Sequence, residues 1–124
     1  SRVEERVAFG EPLIKKTSVQ HEIARCRCDI EQARLLTLHA AHVMDTQGMT
    51  AARPLISMVK IVAPQMAQQV ADRAMQVFGG MGVCQDTMIP EVFMLGRFCR
   101  IADGPDEVHM SQLGKMTVRE INEG

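Results

Sequence analysis

The sequence contains no tryptophan and no tyrosine, and only four of its 124 residues are phenylalanine. Because β-sheets favour aromatic and β-branched residues, this shortage favours a core of helices packed through aliphatic side chains and the ten methionines. No apolar run approaches the ~20 residues needed to cross a bilayer, so we expect no membrane span. A basic excess is also missing. The 14 Lys+Arg against 15 Asp+Glu give a net charge of −1, which argues against a nucleic-acid binder.

Metal-ligating residues are few and are poorly spaced for a metal site. Cys26 and Cys28 are two residues apart in a strongly helical stretch, where they point to different faces and form neither a disulfide nor a zinc pair. His39 and His42 share a helix face, but no acidic or cysteine partner stands at ligand spacing. We therefore expect free thiols and no metal site.

The apolar residues recur at helical spacing in four segments of a chain whose length suits one domain, residues 1–124. Thr17 or Ser18 is expected to cap the first helix and Gly48 to end it, and Pro64 is expected to kink the second helix without breaking it. We predict an all-α protein, an antiparallel four-helix bundle, with helices over residues 18–46, about 51 or 54 to 78, 90–101 and 105–122.

Two loops are candidates for function. Glycines at positions 79, 80 and 82 follow a helix instead of opening one after a strand, which is the wrong context for a dinucleotide-binding loop. Such glycines favour a tight loop, and they also allow close approach of a ligand. Asp103 lies before the last predicted helix in a loop freed by Gly104, whereas Asp106 and Glu107 are expected to cap the start of that helix.

Four motifs follow one another along the chain, at residues 6–10, 58–60, 76–82 and 101–107. Together they resemble the C-terminal domain of flavin-dependent acyl-CoA dehydrogenases. In order and separation they are similar to the family's R-x-x-F-G, M-A-K, Q-x-x-G-G-x-G and I-x-E-G-T elements, and the similarity covers about residues 2–120. The A-D-G-P-D-E form of the last motif looks most like the branch that includes acyl-CoA dehydrogenase family members 10 and 11.

The resemblance implies a larger flavoenzyme in which this chain is the C-terminal bundle, and a homodimer or homotetramer that binds FAD between subunits. The positions of Arg6, Phe9, Gln76 and Gly80 match those that hold the pyrophosphate and adenosine of a neighbouring subunit's FAD. Arginine suits this task because its guanidinium forms a charge-assisted fork with phosphate. The full set of implied cofactor-binding residues is Arg6, Phe9, Gln76, Gly79, Gly80, Gly104 and Glu107.

Asp103 falls at the place of the family's catalytic base, which removes the α-proton of an acyl-CoA thioester while the β-hydrogen leaves as hydride to the flavin. Most members carry Glu at this place, so Asp103 is one methylene shorter. Pro105 replaces a threonine whose hydroxyl commonly contacts the flavin. The resemblance thus implies an FAD-dependent oxidoreductase of fatty-acid β-oxidation with Asp103 as its base.

The family further suggests the mitochondrial matrix or peroxisome for a eukaryotic protein, with electron-transfer flavoprotein as acceptor if mitochondrial, and the cytoplasm for a bacterial one. Because the chain begins with Ser1 and not with Met, we expect either an excised piece of a longer polypeptide or a cloning scar. The resemblance implies that two thirds of the catalytic unit is absent, so we expect the isolated fragment to be inactive. The alternative is a non-catalytic helical assembly module. Such a module would associate with copies of itself through its apolar faces and would be indifferent to FAD.

Overall fold

The computed structural model describes residues 2–124, and these begin with a short hairpin. Helix α1 covers Arg2–Glu5, and strands β1 (Val7–Ala8) and β2 (Glu11–Pro12) then pair antiparallel. Between the strands, Phe9 and Gly10 have φ angles of 54° and 82°, the left-handed backbone that a two-residue hairpin turn requires. The sequence pattern did not predict this hairpin because strands of two residues are too short to show an alternating pattern.

Two long helices form most of the bundle. After a 3-10 helix, Leu13–Lys15, helix α2 covers Thr17–Gln47 and helix α3 covers Met49–Phe78. The helix predicted over residues 18–46 is confirmed to within one residue at each end. Gly48 ends α2 as predicted, with a φ of 87°. Since this single residue joins α2 to α3, the two helices lie antiparallel.

Two expectations about the starts of these helices are wrong. Thr17 and Ser18 are already helical, and Lys16 at the capping position makes no side-chain capping hydrogen bond within the described part of the chain. Helix α3 begins earlier than predicted, which places Pro54 inside it and not in its first turn. The helix does continue through Pro64 as a single element, as the phase of its apolar residues indicated.

Helix α4 covers Ile89–Cys99 and helix α5 covers Asp106–Glu123, which confirms the third and fourth predicted helices. Helix α3 packs against α2, α4 and α5 and is therefore the central helix of the predicted all-α bundle. Gly96 of α4 is buried, and a Cβ added to it would lie 2.9 Å from the backbone nitrogen of Gln68 on α3. The glycine weakens α4 as an isolated helix but lets it approach α3 closely.

The bundle leaves much apolar surface open. The buried apolar residues of the described chain are small ones, namely Ala33, Ala40, Val43, Ala52 and Ala71. The accessible surface area is 8509 Å², whereas a monomeric protein of this mass typically exposes about 6,600 Å². The excess of roughly 1,900 Å² includes large apolar side chains along α4 and α5, among them Val92, Leu95, Phe98, Val108 and Ile121.

Candidate functional site

One cluster of predicted residues lies where the N-terminal hairpin packs against the end of α3. Arg6, Phe9 and Gln76 line a common cleft of about 350 Å³. Nη1 of Arg6 donates a hydrogen bond to the carbonyl oxygen of Val77 at 2.7 Å, which fixes the arginine against the last turn of α3. The fold therefore places Gln76 beside Arg6 and Phe9, which precede it by more than 60 residues, and the resemblance assigned all three to FAD.

Gly79 provides the space that Arg6 occupies. A Cβ at Gly79 would lie 2.8 Å from Nη1 of Arg6, and the φ of Gly79 is 64°. A larger residue would both displace the guanidinium and strain the backbone. Gly79 begins the 3-10 helix Gly79–Val83, and its exposed neighbour Gly80 has no described atom within 4 Å of its Cβ position. Gly80 thus leaves open space where a side chain would otherwise block the backbone.

Phe9 stands beside this cleft at the tip of the hairpin, with 98% of its surface exposed. Nζ of Lys16 lies 5.9 Å from the centre of its ring and 2.8 Å from Oε1 of Glu11. The hydrogen bond from Lys16 lowers the pKa of the Glu11 carboxyl below its ordinary value. The result is an exposed aromatic ring with an ordered cation above it, next to a guanidinium, which suits a ligand that carries both a flat ring and a negative charge.

The second cluster is the loop between α4 and α5, which carries Asp103. Asp103 and Gly104 have φ angles of 55° and 97°, so two successive residues adopt the left-handed conformation. Only glycine adopts it without steric cost, and aspartate tolerates it when neighbouring contacts hold the backbone. The Asp103 side chain is exposed. The loop therefore presents a carboxylate at the surface on an unusual backbone.

Lys60 of α3 ties this loop to the centre of the bundle. Its Nζ donates hydrogen bonds to the carbonyl oxygens of Cys99 at 3.2 Å and Ala102 at 2.9 Å. Cys99 ends α4, so the ammonium group also lies at the negative end of that helix dipole. Sequence reasoning placed Lys60 in a family motif but gave it no role, because its partners lie about 40 residues along the chain.

An ion pair joins the two ends of the same loop. Nε of Arg100 donates to Oδ2 of Asp106 at 2.7 Å, and the backbone nitrogen of Asp106 donates back to the carbonyl oxygen of Arg100 at 3.2 Å. Two glutamines of α3 extend this contact. Nε2 of Gln65 donates to Oδ2 of Asp106 at 3.3 Å, and Nη1 of Arg100 donates to Oε1 of Gln68 at 3.0 Å. The loop ends are thus held to each other and to α3.

Asp106 is buried at the start of α5, with only 6% of its surface exposed. Burial raises the pKa of its carboxyl, but the hydrogen bonds from Arg100 and Gln65 and the nearby positive charge outweigh burial and lower the pKa below its ordinary value. Asp106 and Glu107 lie in the first turn of α5, near the positive end of the helix dipole as predicted, but the expectation that they cap the helix is wrong. Pro105 occupies the capping position, and no side-chain capping hydrogen bond is present there among residues 2–124. Glu107 is exposed in the first turn.

His109 holds the loop from the α5 side. Its Nε2 lies 3.1 Å from the carbonyl oxygen of Asp103, and because a carbonyl only accepts, Nε2 is the donor. Gly104 makes room for the ring, since a Cβ there would lie 3.2 Å from Nε2. Nδ1 of His109 and Oδ1 of Asp106 are both buried and have no hydrogen-bond partner within the described chain. Contacts from α3 and α5 therefore fix the backbone on both sides of Asp103.

The two clusters lie on separate parts of the domain. Lys60, which holds the loop, and Val77, which holds Arg6, are 17 residues apart on α3, and at 1.5 Å per residue this is about 26 Å of helix. The fold therefore groups Arg6, Phe9, Gln76, Gly79 and Gly80 in one place and Asp103, Gly104 and Glu107 in another.

Three other observations limit the chemistry of the described residues. Among residues 2–124, no group of three or more histidine, cysteine, aspartate or glutamate side chains is placed to hold a metal ion. No helix in this part of the chain is both long and apolar enough to pass through a bilayer. The four cysteines, Cys26, Cys28, Cys84 and Cys99, are free thiols.

Comparison with known proteins defines the class to which this bundle belongs. The family described as "Acyl-CoA dehydrogenase, C-terminal domain" matches residues 1–117. The chain is 48% identical over 119 residues to acyl-CoA dehydrogenase family member 11 of Rattus norvegicus, and 47% identical over 119 residues to family member 10 of Mus musculus. A solved structure from Mycobacterium abscessus, assigned as an acyl-CoA dehydrogenase, is similar with a TM-score of 0.94 at 41% identity.

The chain therefore belongs to the acyl-CoA dehydrogenase family, where it corresponds to the C-terminal helical domain. The resemblance stated from the motifs is confirmed, including the similarity to family members 10 and 11. The matches cover 96% of this chain for both relatives and 97% for the solved structure. The chain spans 15% and 11% of the length of those relatives and 30% of the solved chain.

Proposed function

We propose that this chain is the C-terminal domain of an FAD-dependent acyl-CoA dehydrogenase, which forms the α,β double bond of acyl-CoA thioesters in fatty-acid β-oxidation. The observation that carries the proposal is the Asp103 loop. It presents an exposed carboxylate on a backbone held by Lys60, by His109 and by the ion pair between Arg100 and Asp106. A general base needs such fixed placement because it must stand within hydrogen-bond reach of the proton that it removes.

In this reaction the carboxylate of Asp103 takes a proton from the α-carbon of the thioester. The electron pair of that C–H bond forms the new double bond, and the hydrogen on the β-carbon leaves with its own electron pair. FAD, when bound, supplies the acceptor for that hydride. The proton then remains on the Asp103 carboxyl until solvent removes it. In the described domain Asp103 is exposed to water, and we propose that it requires the rest of the enzyme to act as a base.

The residues of the Arg6 cleft fit the FAD that this chemistry requires. The Arg6 guanidinium suits the pyrophosphate, the exposed ring of Phe9 suits the adenine, and Gln76 offers an amide for polar contact. Gly79 and Gly80 let the backbone come close to the ligand. On the other surface, Gly104 and Glu107 would hold the FAD that accepts the hydride in the reaction of Asp103.

The separation of the two clusters supports an FAD shared across subunits. We propose that the Arg6 cleft of one subunit binds the adenosine end of a cofactor that belongs to its neighbour. The open apolar surface supports this assembly, because the excess of roughly 1,900 Å² on one chain exceeds the ~800 Å² that each partner of a standard interface buries. We therefore propose a homodimer or homotetramer that passes its electrons to electron-transfer flavoprotein if it is mitochondrial.

The visible flavin spectrum of the full-length protein tests this function. We expect the oxidised flavin band to bleach anaerobically when straight-chain or branched acyl-CoAs are added, one class at a time. The Asp103→Asn variant should keep the band but bleach ~10²–10⁴ times more slowly, because it loses its general base. A full-length protein without flavin would favour the assembly module. A flavin that bleaches equally fast in the Asp103→Asn variant would show that Asp103 is not the base.

A further inference from the structure

The Asp103 loop depends on its two ends for its shape. Asp103 and Gly104 both have left-handed backbone angles, and at Asp103, which is not a glycine, this conformation has a steric cost that surrounding contacts must offset. Arg100 and Asp106 flank these residues and exchange two hydrogen bonds, one from side chain to carboxylate and one from backbone to backbone. The ion pair therefore closes the chain into a ring that contains Asp103.

We propose that Asp106 is a positioning residue for Asp103, because its ion pair with Arg100 closes this ring and holds the Asp103 carboxylate in place for proton removal. Asp106 does not touch the substrate in this proposal and acts only through the loop. The inference rests on the proposed function of Asp103 as the base. It goes beyond that function by assigning a separate task to a second carboxylate three residues along the chain.

The environment of Asp106 favours this task over simple stabilisation of the helix. Its carboxylate is almost fully buried, its Oδ1 has no hydrogen-bond partner in the described chain, and it makes no capping hydrogen bond at the start of α5. A buried ion pair is a poor source of stability, since apolar residues of the same volume often serve as well or better. Its specific effect here is geometric, because Gln65 and Gln68 tie the same pair to α3.

The short side chain of the candidate base makes this geometry more critical. Asp103 reaches one methylene less far than glutamate, so the loop backbone must stand correspondingly nearer the substrate. A misplacement of about 1 Å can slow an enzymatic step ~100-fold. Lys60 fixes the carbonyl of Ala102 and His109 fixes that of Asp103. The Arg100–Asp106 pair adds the remaining restraint at the ends of the loop.

The test uses the full-length enzyme with FAD bound and the acyl-CoA that bleaches it. We expect Asp106→Asn and Arg100→Gln each to lower kcat and the bleaching rate ~10- to 100-fold, while KM and flavin content change less than twofold. The double variant should be no slower than the slower single variant, because both changes break the same pair. The lack of additivity would show that the two residues act as one pair, whereas the separation of kcat from KM is what a purely structural role would not produce.

The matched control is Asp29→Asn, which breaks another ion pair between helices, that of Asp29 with Arg73 of α3. It should leave kcat within about twofold of the wild type. Normal kcat in Asp106→Asn, or an equal loss in Asp29→Asn, would overturn the proposal.

Asp103→Asn is measured in parallel so that the two proposals fail separately. If Asp103→Asn bleaches at the normal rate, the proposed base is wrong. If Asp103→Asn is slow while Asp106→Asn and Arg100→Gln bleach at the normal rate, the base stands and the positioning role is wrong. Should Asp106→Asn fold poorly, Arg100→Gln gives the same test from the other partner.

Discussion

The hairpin turn and the Asp103 loop have nearly the same backbone but different surroundings. In both, a non-glycine residue and the glycine after it adopt left-handed angles, 54° and 82° at Phe9 and Gly10 and 55° and 97° at Asp103 and Gly104. The turn joins two paired strands and leaves Phe9 98% exposed. The loop is instead held by contacts from α3 and α5.

This difference separates two kinds of site. A turn that leaves its aromatic ring open to solvent is suited to a ligand or partner that arrives from outside the domain. A loop that is fixed by its own domain is suited to hold a reacting group in place before the substrate binds. Backbone conformation alone does not distinguish the two, whereas the hydrogen bonds around each segment do.

The largest expected effect among the remaining tests concerns the hairpin side. Arg6→Ala in the full-length protein should weaken FAD binding roughly 10- to 100-fold, since hydrogen bonds to a charged group contribute about 1.5–3 kcal/mol. Arg6→Lys should recover only part of this loss because lysine keeps the charge but lacks the planar fork. The measurement is flavin retained after dialysis and the dissociation constant on adding FAD back.

The control for this test is Arg27→Ala, which removes an exposed arginine of α2 outside the Arg6 cleft. It should retain flavin like the wild type. If Arg6→Ala retained flavin equally well, the hairpin side would not be a cofactor surface, and the comparison between the two regions would lose its functional meaning.

A second test concerns the packing that holds the start of the loop in place. Gly96→Ala should destabilise the protein by about 1–3 kcal/mol, because its Cβ would lie 2.9 Å from the backbone nitrogen of Gln68. Gly114→Ala, at an exposed helical position with no described atom within 4 Å of its Cβ, should instead stabilise by about 0.5–1 kcal/mol through helix propensity. Urea unfolding of both variants measures the difference. If the Gly96→Ala variant kept the wild-type free energy of unfolding, α4 would be able to move away from α3 at low cost.

The sequence predicted the helices well because long helices repeat their apolar residues many times. The two ends of α2 were found to within one residue, and Pro64 was correctly kept inside α3. The hairpin was missed because each of its strands has only two residues. The start of α3 was also placed too late, because Pro54 suggested a first-turn position that the helix does not use.

The candidate site was only partly predictable for a different reason. Asp103 and Arg6 stand in recognisable motifs, but the contacts that hold them join distant parts of the chain. Lys60 reaches residues 99 and 102, and Arg6 reaches Val77. Asp106 was assigned to a helix cap because it is one of three carboxylates crowded at the start of the predicted helix, whereas its side-chain partner is Arg100. A local pattern cannot show which of two short-range partners a carboxylate takes.

The smallest expected effect is the acid dependence of stability, which should differ between the two regions. The pKa of Asp106 is lowered in the folded state, so its contribution to stability is complete above the ordinary pKa of about 3.8 and is lost as the pH falls toward the lowered value. Asp106→Asn should therefore flatten the loss of stability below about pH 4, measured by urea unfolding at successive pH values. Glu11→Gln in the hairpin removes a carboxyl whose pKa is also lowered but which lies in a half-buried surface pair with Lys16. Because solvent screens such surface pairs and they contribute little, this variant should follow the wild-type curve. If both variants flattened the curve equally, burial at the Asp103 loop would not increase the contribution of the Arg100–Asp106 pair to the free energy of unfolding.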